Sequence, residues 1–165
     1  MTGDLVVTRW GARFLGRSFP CVVGRGGITA DKREGDRATP EGEHRIVGLL
    51  YRPDRIAGPL PRWAEPIRPG DLWSDDPLDP EYNHWVRAPH GFGYERLWRS
   101  DPLYNLILIT DWNYPVSTPG KGSAIFLHRW RKPRHPTAGC VAFAATDLRW
   151  IAAAAAPGTR LIIRR

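Results

Sequence analysis

Proline and glycine break this chain at such short intervals that a long helix has nowhere to form. Among 165 residues there are 16 Pro and 17 Gly; the first lacks a backbone donor and fixes φ, and the second leaves the chain loose. Between the breaks lie short apolar or alternating stretches at 5–8, 19–23, 45–51, 105–110, 124–128 and 160–163, which predict strands from one end of the chain to the other. The 8 Trp fit the same picture, because an indole packs well on a pleated, half-buried surface. A single, mainly β domain over residues 1–165 is expected, since this length suits one core.

Two connections are unusual. Residues 24–42 form a polar, Gly-rich link, and 53–89 carry so many prolines that regular structure there must be short. Trp63, Trp73, Tyr82 and Trp85 give the second segment too much apolar surface to be left in water. It is therefore expected to be a long functional covering loop and not a disordered linker. One helix is expected in the C-terminal half, with Thr146 as its cap and Asp147 at the positive end of its dipole. Leu148, Ile151, Ala152 and Ala155 form its apolar stripe, the alanine run 152–156 belongs to it, and Pro157 and Gly158 stop it.

The formal charge of +7 favours anionic partners, which include nucleic acid, an anionic lipid surface and a carboxylate-bearing wall polymer. Cys21 and Cys140 are read as thiols, because a lone disulfide is a poor framework for a chain of this size. Cys21 sits in an apolar stretch as a small buried hydrophobe. Met1 is followed by Thr2, Gly3 and Asp4, not by a basic stretch and an apolar segment, and no apolar run approaches the length of a bilayer span. The expectation is a cytoplasmic protein without membrane insertion, or a periplasmic one if it is exported by another route.

The residues that carry chemistry lie between Ser123 and Phe143. An apolar stretch ends on His128, a basic loop follows at 129–135, and Pro136-Thr137-Ala138-Gly139-Cys140 leads into another apolar stretch. Gly139 lets the chain bend sharply and leaves room for a substrate carbonyl beside the thiol, where neighbouring N–H groups can hold an oxyanion. A free thiol is only a few per cent ionised at neutral pH, so an imidazole that takes its proton makes it a better nucleophile. His128 is the leading base and His135 its rival, while Arg129, Arg131, Lys132 and Arg134 either favour a thiolate or simply face solvent.

With its histidine and Thr137-Ala-Gly139-Cys140 turn, this stretch resembles the signature of the L,D-transpeptidase (YkuD-like) catalytic domain. The segments 24–28, 32–36, 39–42, 79–83 and 120–128 look like the short branch that consists of the catalytic domain alone. The resemblance implies a mixed sheet or β-sandwich, no cofactor or metal, and attack on the bond between an L-centre diamino acid and a D-amino acid through a cysteine thioester. It implies peptidoglycan stem peptides or muropeptides as partners, Cys140 as nucleophile, His128 as base, and Gly139 and Thr137 as shapers of the oxyanion site. The commoner pattern has an arginine two positions after the cysteine, where this chain has Ala142, and the interval from His128 to Cys140 is shorter than in many members. Contacts to substrate carboxylates must then come from Lys32, Arg33, Arg99 or Lys121, with Tyr82, Asn83 and His135 as further candidates in the site. Transpeptidation to an amine and L,D-carboxypeptidase cleavage by water share one thioester, and the cytoplasmic expectation favours the second.

Two other readings use the same residues. His128, His135 and Cys140 are zinc-ligand types, but the close ligand pairs of most zinc sites are missing. The basic run with Trp130 interleaved suits a nucleic-acid surface, yet it leaves the Thr-Ala-Gly-Cys turn without a purpose. His44, His84 and His90 have no signature and are expected in loops or the core, while Glu34, Asp36 and Glu95 are read as ordinary ion-pair partners or charges in the cleft.

Overall fold

The computed structural model describes residues 3–165, and the reading of Met1 and Thr2 falls outside them. In chain order the elements are β1 (Leu5–Thr8), β2 (Gly11–Phe14), β3 (Arg17–Phe19), β4 (Cys21–Val22), β5 (Ile28–Thr29), β6 (Thr39–Pro40), β7 (Gly42–Tyr51) and β8 (Ala64–Pro66). They continue as β9 (Asp71–Ser74), β10 (Trp85–Arg87), β11 (Tyr94–Arg96), β12 (Leu106–Thr110), β13 (Phe126–Arg129), β14 (Val141–Phe143), α1 (Ala145–Ala154) and β15 (Arg160–Ile163).

The main sheet has ten strands in the order β3-β2-β1-β15-β7-β12-β13-β14-β4, with β8 beside β7. Its outermost strands, β3 and β4, are separated in sequence by Pro20 alone. The sheet therefore curls until its two edges meet, which gives a nearly closed, barrel-like sandwich. The two edge strands are short, three and two residues, which limits the row of backbone donors left unpaired there. The pairs β1–β15, β7–β8 and β13–β14 are parallel and the other pairs of this sheet antiparallel, so the sheet is mixed as expected.

Strand alternation divides the core in two. Leu106 and Leu108 of β12, Leu127 of β13 and Val141 and Phe143 of β14 join Leu5, Ile46 and Phe19 inside the curl. Leu148, Ile151 and Ala152 of α1 plug that cluster. The intervening residues, Ile107, Ile109, Phe126 and Cys140, face the other way and pack with Trp73, Leu97 and Tyr104. Trp73 belongs to a separate three-stranded sheet, β10-β9-β11, laid against this second face. A two-sided strand must be apolar throughout, which explains why all of β12 is buried.

Several expectations need correction. The stretch 19–23 is two strands, because Pro20 cannot donate to a ladder and the chain passes there from one edge of the sheet to the other. The helix is entered at Ala144 without a side-chain cap, and Thr146 lies inside its first turn. It ends at Ala154, so only part of the alanine run belongs to it. Residues 53–89 contain β8, β9 and β10, and of them only Asp75 lines the cleft that holds Cys140. The wall across that cleft comes instead from residues 94–104.

The link 24–42 is fastened to the turn before Cys140. Gly24 bridges Thr137, and Thr39 Oγ1 accepts from the Gly24 amide at 2.8 Å while donating to the Gly139 carbonyl at 2.7 Å. A Cβ on Gly24 would stand 2.3 Å from the Arg37 carbonyl oxygen and 3.0 Å from Gly139 Cα. Gly24→Ala should thus cost about 1–3 kcal/mol in urea unfolding, as overpacking against backbone does. Gly91→Ala, where a Cβ meets nothing within 4 Å, should stay within about 0.5 kcal/mol of the parent.

Candidate active site

β13 and β14 run side by side in parallel, with Leu127 opposite Val141 and His128 opposite Ala142. Partners in such a ladder share a face, so His128 and Cys140 project to the same side. Just beyond the last registered pair the thiol stands where the ladder would continue. Cys140 Sγ donates to the Ala124 carbonyl at 3.0 Å and accepts from the Phe126 amide at 3.4 Å. Gly139 makes the bend at φ +143°, and an added Cβ would press on the Ala38 carbonyl at 3.0 Å. Thr137 Oγ1 closes the turn by accepting from the Gly139 amide at 3.0 Å and donating to the Cys140 carbonyl at 2.6 Å.

A cleft of about 930 Å³ opens over this turn, lined by Cys140, His128, Glu34, Asp75, Glu95 and Arg99 among others. Cys140 is 9 % exposed and His128 5 %, so both meet the cleft through a small window. Burial is the largest influence on each. It pushes the Cys140 thiol up to about 12, with Glu95 adding to the rise and the Phe126 amide and Lys32 opposing it. It pushes His128 down to about 4, against the hydrogen bond to Arg129, with Arg99 lowering it further and Asp101 raising it. The pair at rest is a neutral thiol and a neutral imidazole. The basic residues Arg131, Lys132 and Arg134 are exposed and do not favour a thiolate; Arg134 acts on Cys21 instead.

The His128 ring is oriented by its own neighbour. Nδ1 lies 2.7 Å from the Arg129 carbonyl, which can only accept, so the proton sits on Nδ1 and Nε2 keeps its lone pair. This is the tautomer a base needs. Tyr104 packs edge-on against the ring at 5.3 Å between centroids.

Of the other candidates, His135 lines the cleft but lies on the loop outside the ladder. Lys32 also lines it, yet its ammonium is held by Asp36 at 2.6 Å and by the Arg33 carbonyl at 2.7 Å. Arg33 is exposed and paired with Asp31, Lys121 is exposed, and neither lines the cleft. Arg99 does, with Nε and Nη2 on Asp101 at 2.9 and 2.6 Å.

Tyr82 and Asn83 are buried supports and not wall residues. Asn83 Oδ1 accepts from Trp73 Nε1 and from the Ala124 amide, both at 2.9 Å, which fixes the residue whose carbonyl receives the thiol. Tyr82 donates to Glu34 at 3.0 Å and accepts from the Gly122 amide at 2.9 Å. Ala124 itself takes φ +52°, a conformation Asn83 helps to impose. Tyr104 had no sequence signal, because a Tyr beside an apolar stretch looks like ordinary core; Thr39 and Ala124 lie in the resembling segments 39–42 and 120–128, but the sequence assigned neither a role.

Both cysteines are free, and they lie in different halves of the core. Among the described residues no group of three His, Cys, Asp or Glu side chains converges in a way that would hold a metal ion.

Of three comparisons with known proteins, one gives a match. Neither the curated proteins nor the solved structures give a significant match. The family model described as the L,D-transpeptidase catalytic domain, YkuD, matches residues 6–163, nearly the whole chain. With that match and the mainly β, barrel-like fold, the chain belongs to the L,D-transpeptidase catalytic domain family, whose activity is directed at peptidoglycan.

Proposed function

We propose that the protein is an acyl-transfer enzyme that opens the L–D amide bond of peptidoglycan stem peptides through a thioester on Cys140, with His128 as its base. The observation that carries this reading is the shared face of β13 and β14: a thiol and an imidazole with a free Nε2 meet one cleft. In the first half-reaction Cys140 Sγ attacks the amide carbon and its proton passes to His128 Nε2. The tetrahedral oxyanion collapses as the C–N bond breaks, and His128 returns the proton to the departing amine. In the second, water or an amine gives its proton to His128 and attacks the thioester carbonyl, and the sulfur leaves and is reprotonated. Water as acceptor yields a shortened peptide, and an amine yields a crosslink.

Arg99 is the best-supported contact for a substrate carboxylate. Ala142 projects no cation beside His128, Arg33 and Lys121 lie off the cleft, and the Lys32 ammonium is already shared between Asp36 and the Arg33 carbonyl. Arg99 is fixed through Asp101, and its Nη1 makes no hydrogen bond among the described residues. A guanidinium held in this way loses little freedom on binding.

With tetrapeptide muropeptides as substrate, Cys140→Ala should abolish both D-alanine release and crosslinking, read by mass spectrometry. His128→Ala should lower kcat by about 10² to 10⁴, the usual worth of general-base assistance. His135→Ala should act mainly on KM. Activity surviving in Cys140→Ala, or the larger kcat loss in His135→Ala, would reverse these assignments.

The neutral resting pair makes a separate expectation. A folded thiol raised from the usual 9 to about 12 is protonated throughout the neutral range. Iodoacetamide should therefore modify Cys140 slowly at neutral pH, and the rate should climb steadily above pH ~9. Peptide mapping of the alkylated protein measures it. A rate plateau between pH ~5 and ~8 would instead reveal a preformed thiolate–imidazolium pair.

A further inference from the structure

Tyr104 and Glu95 take no part in the bond changes above, yet a short hydrogen bond joins them inside the same cleft. The Tyr104 hydroxyl donates to Glu95 Oε2 at 2.6 Å. Tyr104 is held on its other sides as well: its ring meets Phe126 at 6.0 Å and 73°, and the Arg99 guanidinium lies 5.1 Å from its centre. What this fixed ring touches next is His128, at 5.3 Å and 71°.

We propose that Tyr104, anchored by Glu95, is a positioning residue that keeps the His128 ring aligned with Cys140. The proposal rests on the reading of His128 as the base. The bond from Nδ1 to Arg129 sets the tautomer, but a single bond does not by itself fix the tilt of the ring about that axis. The edge of Tyr104 stops that motion. Misplacement by about 1 Å can cost on the order of 10² in rate, so a stop of this kind matters to a base that must reach a thiol.

The chemistry of the anchor points the same way. A carboxylate in a poorly solvated wall is costly, and a hydrocarbon pair would fill the volume at less expense if packing were its purpose. A carboxyl oxygen accepts from a hydroxyl whether or not the group carries charge, and the 2.6 Å bond to Glu95 Oε2 fixes where the phenol points. Burial raises Tyr104, so the phenol keeps its proton and remains the donor; it also raises Glu95, which weakens the carboxyl's hold on a negative charge without removing the acceptor oxygen.

The bond also crosses the architecture. Glu95 lies on β11 of the small sheet, whereas His128 lies on β13 of the large one. A substrate that shifts the 94–104 wall would move the stop on the base. The charged groups acting on His128 from this side, Arg99 and Asp101, belong to the same wall and would move with it.

The test compares Tyr104→Phe, Tyr104→Ala, Glu95→Gln and Glu95→Leu in the intact protein. Tyr104→Phe keeps the ring and loses the anchor; kcat on muropeptides should fall about tenfold or more with KM little changed. Glu95→Gln, which retains an acceptor oxygen, should recover most of the rate that Glu95→Leu loses. Nuclear magnetic resonance of the His128 ring gives a readout independent of turnover. Its signals should broaden in Tyr104→Phe, and its titration midpoint should rise from about 4 toward the ordinary histidine value in Tyr104→Ala, as water reaches the ring. Full kcat in Tyr104→Phe, or equal losses in Glu95→Gln and Glu95→Leu, would overturn the proposal. If the wild type turns over no muropeptide, the proposed reaction fails, and the ring signals alone decide the positioning role: no change in either Tyr104 variant would overturn it.

Discussion

The site is organised around a thiol that does the work of a backbone rung. Where the β13–β14 ladder would continue, Cys140 Sγ lies between the Ala124 carbonyl and the Phe126 amide. A sulfur held by two backbone groups has a fixed position without an ion pair. Its proton points at the Ala124 carbonyl, which suits the upward shift that burial imposes. In the proposed reaction the thiol gives up Ala124 and turns toward Nε2 of His128.

Much of the molecule fixes that rung. The Gly139 bend is pinned by Thr39, which also ties down the 24–42 link, while Thr137 closes the turn from the other side. On the acceptor side, Ala124 is held in its unusual conformation by Asn83, and Asn83 in turn by Trp73 of the small sheet. The small sheet is thus both the back support of Cys140 and, through β11, one wall of the cleft. Most of these supports are directional bonds from a side chain to a backbone group, and Thr39 and Thr137 each make two of them.

The architecture was legible wherever apolar pattern decided it. Residues 5–8, 45–51, 105–110 and 160–163 form strands close to their expected limits. Leu106–Thr110 is buried on both faces and apolar along almost all its length, while the others alternate buried with more exposed positions, the period-two pattern of a strand with one face in the core. The three-residue strands around Trp85 and Tyr94 were not legible, since pairing in a distant sheet fixes them and no local period announces it. The thiol, the histidine and the Gly139 turn were visible because their residue types are chemically special in that order. The cations on the basic loop suggested help for a thiolate, but their side chains reach water while Glu95, remote in sequence, acts on the sulfur. Tyr82 and Asn83 were expected to face a substrate and stand instead behind the cleft wall; sequence marks a polar residue as special without saying which side of a wall it occupies.

The proposed reaction passes through one covalent intermediate, a thioester on Cys140. Rapid acid quenching of the wild-type protein with a tetrapeptide muropeptide, followed by intact-mass and peptide analysis, looks for it directly. The predicted result is an adduct equal to the substrate less its terminal D-amino acid, mapped to Cys140 and cleaved by hydroxylamine as a thioester is. Product formation with no adduct at any quench time, or with an adduct on a residue other than Cys140, would contradict the account.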